Sequence, residues 1–85
     1  MSRKVKSPSG NEFTVHKWLI TKHGWEYYIL DPPIEGNAFG VVMGLHQEMG
    51  SFNLKEVAPY VTMTAEGDDL YDLAPPEEWE WSDAA

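Results

Sequence analysis

The chain has 85 residues, 42% of them hydrophobic and eleven aromatic, and its formal net charge is −8. A chain of this length folds as one small domain that buries roughly 60–65% of its unfolded surface, which argues against a deep, two-lobed active site. It contains no cysteine, which excludes disulfides and thiolate metal sites.

Residues 1–11 are rich in Ser, Pro, Gly and Lys and are predicted to form a flexible basic leader. No apolar segment of the kind found in a signal peptide follows them. Nor does any apolar run approach the roughly 20 residues of a membrane span. We therefore expect a protein of the host-cell cytoplasm that makes no membrane contact.

The first strand is predicted from the β-branched and aromatic residues that follow the leader. Its apolar positions are odd-numbered at Phe13 and Val15 but even-numbered at Trp18 and Ile20. A bulge or bend near His16 would explain this switch of faces.

The second strand is predicted over WEYYILD, residues 25–31, where Trp25, Tyr27 and Ile29 form a strongly aromatic face. The following DPPIEGN, residues 31–37, is predicted to be a loop. Its two prolines lack the N–H donor that a central strand needs.

The third strand is predicted over AFGVVM, residues 38–43, and GLHQEMG, residues 44–50, is predicted to be a loop or turn. The glycines do not form a phosphate-binding loop, because no Lys followed by Ser or Thr comes after them. We expect Gly40 to allow a neighbouring group to approach closely instead.

A short helix is predicted after a brief strand at Ser51–Phe52. Asn53, with Glu56 three residues later, resembles a capping pair. Pro59 disfavours helix at the preceding residue and so limits the helix to one or two turns. Residues 60–64, YVTMT, are predicted to form another short strand.

These elements predict a small α+β domain, with a mainly antiparallel β-sheet and one or two short helices. The globular domain is predicted to span residues 12–74, followed by an acidic aromatic tail at residues 75–85. The predicted core comprises Phe13, Val15, Trp25, Tyr27, Ile29, Phe39, Val41, Met43, Phe52, Leu54 and Val57.

No cofactor or metal site is expected. His16, His23 and His46 lack the spacing that brings two imidazoles to one metal ion. The aspartates of GDDLYD, residues 67–72, lack calcium-loop spacing and are interpreted as a solvated acidic face. No Ser or Thr lies in a nucleophile context, so we favour a binding module over an enzyme.

Charge is distributed unevenly along the chain. Residues 1–24 hold five basic residues and one acid, whereas residues 25–85 hold one lysine and thirteen acids, a net charge of −12. Such a body repels nucleic acid, whose binding is driven by Lys and Arg. It favours a partner protein with a basic, nucleic-acid-binding surface.

The carboxyl-terminal segment carries most of this charge, since residues 66–85 hold eight acids and no basic residue. Trp79 and Trp81 either anchor a partner, as interface tryptophans do, or pack back onto their own sheet. The predicted partner-binding residues are Glu66, Asp68, Asp69, Tyr71, Asp72, Glu77, Glu78, Trp79, Glu80 and Trp81.

Two other functions are considered. One is a small catalytic or ligand-binding domain whose pocket is lined by Trp25, Tyr27, Tyr28 and His46. The other is a structural accessory protein of a virion or conjugation complex.

Four motifs resemble a small domain of unknown function that is common on plasmids, integrative elements and phages. The matching positions are Trp25, Tyr27 and Tyr28 of the first motif; Phe39, Gly40, Val42 and Gly44 of the second; Glu48, Met49, Gly50, Phe52, Leu54, Glu56 and Val57 of the strand-to-helix motif; and Asp69, Leu70 and Tyr71 near the end. The resemblance covers roughly residues 23–73. It departs at Ser51, where the family has tyrosine, and at Asn53, where it has serine.

The resemblance implies a setting rather than a mechanism. Genes near such domains include antirestriction functions. Together with the acidic charge, this favours a non-enzymatic protein that mimics nucleic acid and inhibits a host defence nuclease, of anti-restriction or anti-CRISPR type.

Overall fold

The computed structural model describes residues 3–82, with only the backbone described at residues 31–33. Within this range the chain forms eight strands and three short helical segments. The strands are β1 (Arg3–Lys6), β2 (Glu12–Val15), β3 (Lys17–Thr21), β4 (Glu26–Ile34), β5 (Asn37–Met43), β6 (Gln47–Asn53), β7 (Val61–Ala65) and β8 (Glu80–Trp81). The helical segments are α1 (Leu54–Val57), a 3-10 helix (Ala58–Tyr60) and a second 3-10 helix (Gly67–Asp72).

The strands form two antiparallel sheets, one in the order β2-β1-β8 and one in the order β6-β5-β4-β3-β7. The predicted class, a small α+β domain with a mainly antiparallel sheet, is confirmed. No helix within residues 3–82 has the length and apolar character that crossing a bilayer requires.

The predicted bend near His16 is where the chain passes from one sheet to the other. β2 ends at Val15 and β3 begins at Lys17, and the His16 N–H donates to the Ile29 carbonyl at 2.8 Å. The bend reverses which side chains point into the core, odd-numbered before it and even-numbered after it. Val15 and Trp18 therefore lie in the same core cluster. The switch in the apolar pattern thus has the predicted cause.

The five-stranded sheet packs on both faces. One face meets the three-stranded sheet and the second 3-10 helix around Val5, Trp18, Tyr28 and Leu70. The other face carries Leu19, Tyr27, Ile29 and Ala38, against which α1 packs with Leu54 and Val57. Alternate residues of β4 therefore serve opposite cores, as the period of a strand requires.

Four of the predicted core residues are buried as expected: Val15, Tyr27, Ile29 and Val41. Trp25 is not, since 39% of its surface is exposed. The prediction chose one face of each strand. It therefore omitted the larger buried residues of the opposite face, above all Tyr28 at 2% exposure.

The loop predicted at residues 31–37 is wrong, because β4 continues to Ile34 and only Glu35–Gly36 form the turn. Pairing between β3 and β4 ends at Ile29, while pairing with β5 continues with register shifts to Ile34. Beyond Ile29 the strand thus has a neighbour in the five-stranded sheet on one side only. That is where prolines are tolerated.

The loop predicted at residues 44–50 is also too long. β6 begins at Gln47 and pairs residue for residue with β5, from Met43 opposite Gln47 to Asn37 opposite Asn53. As an edge strand it buries little, so its sequence lacks the alternation by which strands are recognised.

The predicted helix start is confirmed. The Asn53 side-chain oxygen accepts a hydrogen bond from the Lys55 N–H at 2.8 Å, as an N-cap should. α1 ends at Val57 and gives way to the 3-10 helix that contains Pro59.

The three-stranded sheet joins the segments that the sequence analysis separated. The leader provides β1, the predicted domain provides β2 and the tail provides β8, with Val5 opposite both Phe13 and Trp81. Residues 1–2 of the leader and 83–85 of the tail lie outside the described residues. The short, charged sequence RKVK gave no sign of a strand, because half of its side chains face solvent.

Candidate functional site

The tail tryptophans pack into the protein's own core. Trp79 is 9% exposed, and its ring centroid lies 5.7 Å from that of Phe13. Trp81 is half-buried, and its indole N–H donates to the Leu73 carbonyl at 3.0 Å. Of the two interpretations of these tryptophans, the structure supports packing onto the protein's own sheet.

Arg3 links the tail to the second 3-10 helix. Its guanidinium carbon lies 3.9 Å from the centroid of the Trp81 ring and 4.6 Å from that of Tyr71. Its Nη1 donates to the Leu70 carbonyl at 3.0 Å. Cation–π contacts of this kind are strongest when the cation is desolvated, and Arg3 is only 7% exposed.

The second 3-10 helix presents a group of exposed carboxylates. We call this group the acidic ridge: Glu66, Asp68, Asp69 and Asp72. In a 3-10 helix, side chains three residues apart lie above one another. Asp69 and Asp72 thus form one row, Asp68 and Tyr71 form the next, and Leu70 is buried on the third.

The other predicted partner-binding acids lie outside the ridge. Glu77 is held through its backbone, whose N–H and carbonyl bond the Gln47 side chain at 2.7 and 2.9 Å. Glu78 and Glu80 are also exposed, but Glu80 lies opposite Lys6 on β1.

The predicted pocket around the aromatic strand is brought together only in part. Trp25 and Tyr27 line one concavity, with a volume of about 320 Å³. Tyr28 faces the opposite side of the sheet, where its hydroxyl donates to the Ala74 carbonyl at 2.9 Å. His46 is exposed in the β5–β6 turn and does not line the pocket.

We call this concavity the aromatic pocket; its lining residues are Thr21, His23, Trp25, Tyr27, Glu56, Val57 and Tyr60. The ring centroids of His23 and Tyr60 are 5.9 Å apart. The Lys22 ammonium lies 5.4 Å from the Tyr60 centroid. Burial raises the pKa of the Tyr27 hydroxyl.

The sequence analysis did not associate Glu56 and Tyr60 with this pocket. Both come from the segment of α1 and the first 3-10 helix, which crosses the sheet. The signal that could have found them is the capped helix itself, because a helix following an edge strand must pack back over the sheet.

A second concavity, of about 390 Å³, lies at the other end of the same sheet face. We call it the aliphatic pocket; it is lined by Lys17, Leu19, Ile29, Leu54, Ala58, Val61 and Thr64. It shares the helical segment with the aromatic pocket but contains no aromatic ring.

Two glycines shape these surroundings. A Cβ at Gly40 would clash with the Tyr28 carbonyl oxygen, and a Cβ at Gly44 would lie 2.7 Å from the Trp25 ring. The close approach predicted at Gly40 is confirmed. Within residues 3–82, no group of three or more His, Asp or Glu side chains is placed to hold a metal ion.

No protein-family model, curated protein or solved structure matches this chain. The resemblance to a domain of mobile elements therefore stays a prediction.

Proposed function

We propose that the protein is a non-enzymatic binding module whose acidic ridge docks on the basic, nucleic-acid-binding surface of a host protein. The observation that carries this proposal is the ridge itself. Glu66, Asp68, Asp69 and Asp72 are exposed at the start of the second 3-10 helix and along it. No basic residue follows Lys55 in the chain.

Electrostatics favours this partner class over nucleic acid. A body with a net charge of −12 over residues 25–85 repels phosphates and attracts a basic surface from a distance. Tyr71 adds an exposed aromatic ring between the carboxylates, at 47% exposure. Tyrosine is enriched at interface hot spots, so Tyr71, one of the predicted partner-binding residues, supplies the aromatic contact beside the carboxylates while Trp79 and Trp81 pack on the core.

Deleting the acidic tail would not test this proposal cleanly, because the tail is part of the fold. Truncation after Ala74 removes Trp79 from the core and β8 from its sheet, so loss of binding would not separate the surface from the fold. Charge-neutral substitutions on the ridge avoid this problem, because the side chains involved are exposed.

The test compares two triple variants with the same change in net charge. D68N/D69N/D72N neutralises the ridge, and E12Q/E35Q/E48Q neutralises three exposed acids elsewhere. Each immobilised protein is incubated with nuclease-treated bacterial lysate, and bound proteins are quantified by mass spectrometry. We expect a basic partner that the ridge variant retains at least about tenfold less well than the control. Equal retention by both variants would exclude the ridge as the binding surface.

A second candidate function is the binding of a small ligand in the aromatic pocket. Its volume of about 320 Å³ is at the lower end of the range for ligand sites. Amide chemical shifts of Gly24 and Gly44 during titration with small aromatic and amine compounds test this function. Saturable shifts that Tyr60→Leu weakens support it, and the absence of saturable shifts would contradict it.

A further inference from the structure

We propose that the aromatic pocket binds an alkylated ammonium group, such as the trimethylammonium of a choline or a methylated lysine. This inference rests on the second proposed function, small-ligand binding, and names the chemical class of the ligand. Three kinds of observation support it: the rings of the pocket, its charge and its size.

The rings supply the π faces that such a cation requires. Trp25 directly precedes β4, Tyr27 lies within it and Tyr60 ends the first 3-10 helix; all three line the pocket, and the His23 imidazole lies beside Tyr60. An ammonium within about 6 Å of an aromatic centroid is attracted by the ring quadrupole, most strongly by tryptophan. Clustered rings of this kind are the common means of recognising quaternary ammonium groups.

The chain itself already places an ammonium on one of these rings. Lys22 Nζ lies 5.4 Å from the Tyr60 centroid, which is within cation–π range. Lys22 is exposed and does not line the pocket. Its ammonium therefore lies beside the pocket, where its like charge opposes a bound cation while the pocket itself stays open.

A carboxylate supplies the matching charge. Glu56 lines the pocket from α1, and the acidic body of the protein raises the local concentration of cations. The aliphatic pocket is the internal contrast, because it contains Lys17 and no ring. A cation should therefore select the aromatic pocket, whereas an uncharged apolar group has no electrostatic reason to prefer it.

The dimensions suit a head group more than a whole large ligand. Trp25 and Tyr60 are 39% and 45% exposed, so the pocket opens to solvent beside them. A trimethylammonium group can enter while the rest of its molecule stays outside. This is how a methylated side chain of a partner protein would bind.

The experiment is an NMR titration of the full chain with choline chloride. In parallel, the chain is titrated with dimethylbutanol, the neutral isostere in which a quaternary carbon replaces the nitrogen. The signals followed are the indole N–H of Trp25 and the amides of Gly24 and Gly44 for the aromatic pocket, and the amides of Leu19 and Val61 for the aliphatic pocket. We expect choline to bind about tenfold more tightly than its isostere.

Five variants, one of them a charge control, separate the contributions. Tyr60→Leu and Glu56→Gln should each weaken choline binding several-fold while changing isostere binding little. Tyr60→Phe, which keeps the ring, should retain choline binding. Lys22→Met should tighten it, because an ammonium of like charge is removed. Glu48→Gln is the matched charge control and should have no effect, since Glu48 lies on β6 outside the pocket.

The outcomes distinguish this inference from the function on which it rests. Equal affinity for choline and its isostere would overturn the cation preference but leave small-ligand binding standing. Shifts centred on Leu19 and Val61 would place the ligand in the aliphatic pocket and overturn the inference. Binding of neither compound would overturn the inference, whereas small-ligand binding would fall only if the aromatic and amine compounds also gave no saturable shifts.

Discussion

Trp79→Ala tests whether the acidic tail is an integral part of the fold. Burying a tryptophan removes about 150–250 Å² from water, which at roughly 25 cal/mol per Å² amounts to about 4–6 kcal/mol. Measured losses for comparable core substitutions are about 3–5 kcal/mol. Trp79 is 9% exposed and packs on Phe13, so we expect a loss in this range. A domain of this length has only about 4–13 kcal/mol in total.

The assay is urea denaturation followed by far-UV circular dichroism, with the free energy of unfolding obtained by linear extrapolation. Trp25→Ala is the matched control, because Trp25 is the more exposed tryptophan at 39%. It should cost about 1–2 kcal/mol. If Trp79→Ala cost no more than Trp25→Ala, the packing of the tail described here would be refuted.

Three further predictions concern the fold. Gly40→Ala should destabilise the chain by more than about 2 kcal/mol in the same urea assay, because the added methyl group meets the Tyr28 carbonyl oxygen; a change below about 0.5 kcal/mol would contradict that contact. Asn53→Ala should cost about 1 kcal/mol through loss of the N-cap bond to Lys55, and an unchanged midpoint would rule out the cap. Burial, and then the charge of Glu26, raise the pKa of Tyr28 above its ordinary value of 10.0. The folded state therefore holds this proton more tightly, and the stability it confers is complete below about pH 10 and declines above it. Tyr28→Phe should flatten that alkaline decline in pH-dependent unfolding, whereas an identical decline in both proteins would show that Tyr28 does not cause it.

The parts of the fold that could be predicted from sequence are those in which a local rule operates. The face switch around His16 predicted a bend because an apolar pattern can change parity only when the backbone does. The cap at Asn53 and the helix limit at Pro59 are equally local. Each of these features depends on residues within one turn of the chain.

The errors arose where tertiary pairing overrides local preference. The prolines after Asp31 lie in a strand because β3 ends beside Ile29 and leaves that side unpaired. β1 was missed because RKVK becomes a strand only between β2, the next strand along the chain, and β8, which lies far away in sequence. Neither fact can be read from a window of neighbouring residues.

The candidate sites show the same division. The acidic ridge was visible as a cluster in GDDLYD, because exposed charges need no partner to be recognised. The aromatic pocket was predicted from Trp25 and Tyr27 but with the wrong companions. Tyr28 is adjacent in sequence, yet its side chain lies on the opposite face of β4. Tyr60 is distant in sequence but lines the same pocket.

The most direct test of the central proposal uses the partner protein that the acidic ridge captures, once it is purified. It measures competition between this protein and duplex DNA for binding to that partner. The bound fraction of the protein would be followed as DNA is added at fixed, moderate salt. The proposal predicts mutually exclusive binding, in which DNA displaces the wild-type protein and displaces D68N/D69N/D72N at lower DNA concentrations. A stable complex of the partner with both DNA and this protein would contradict it, because the ridge would then lie outside the nucleic-acid-binding surface.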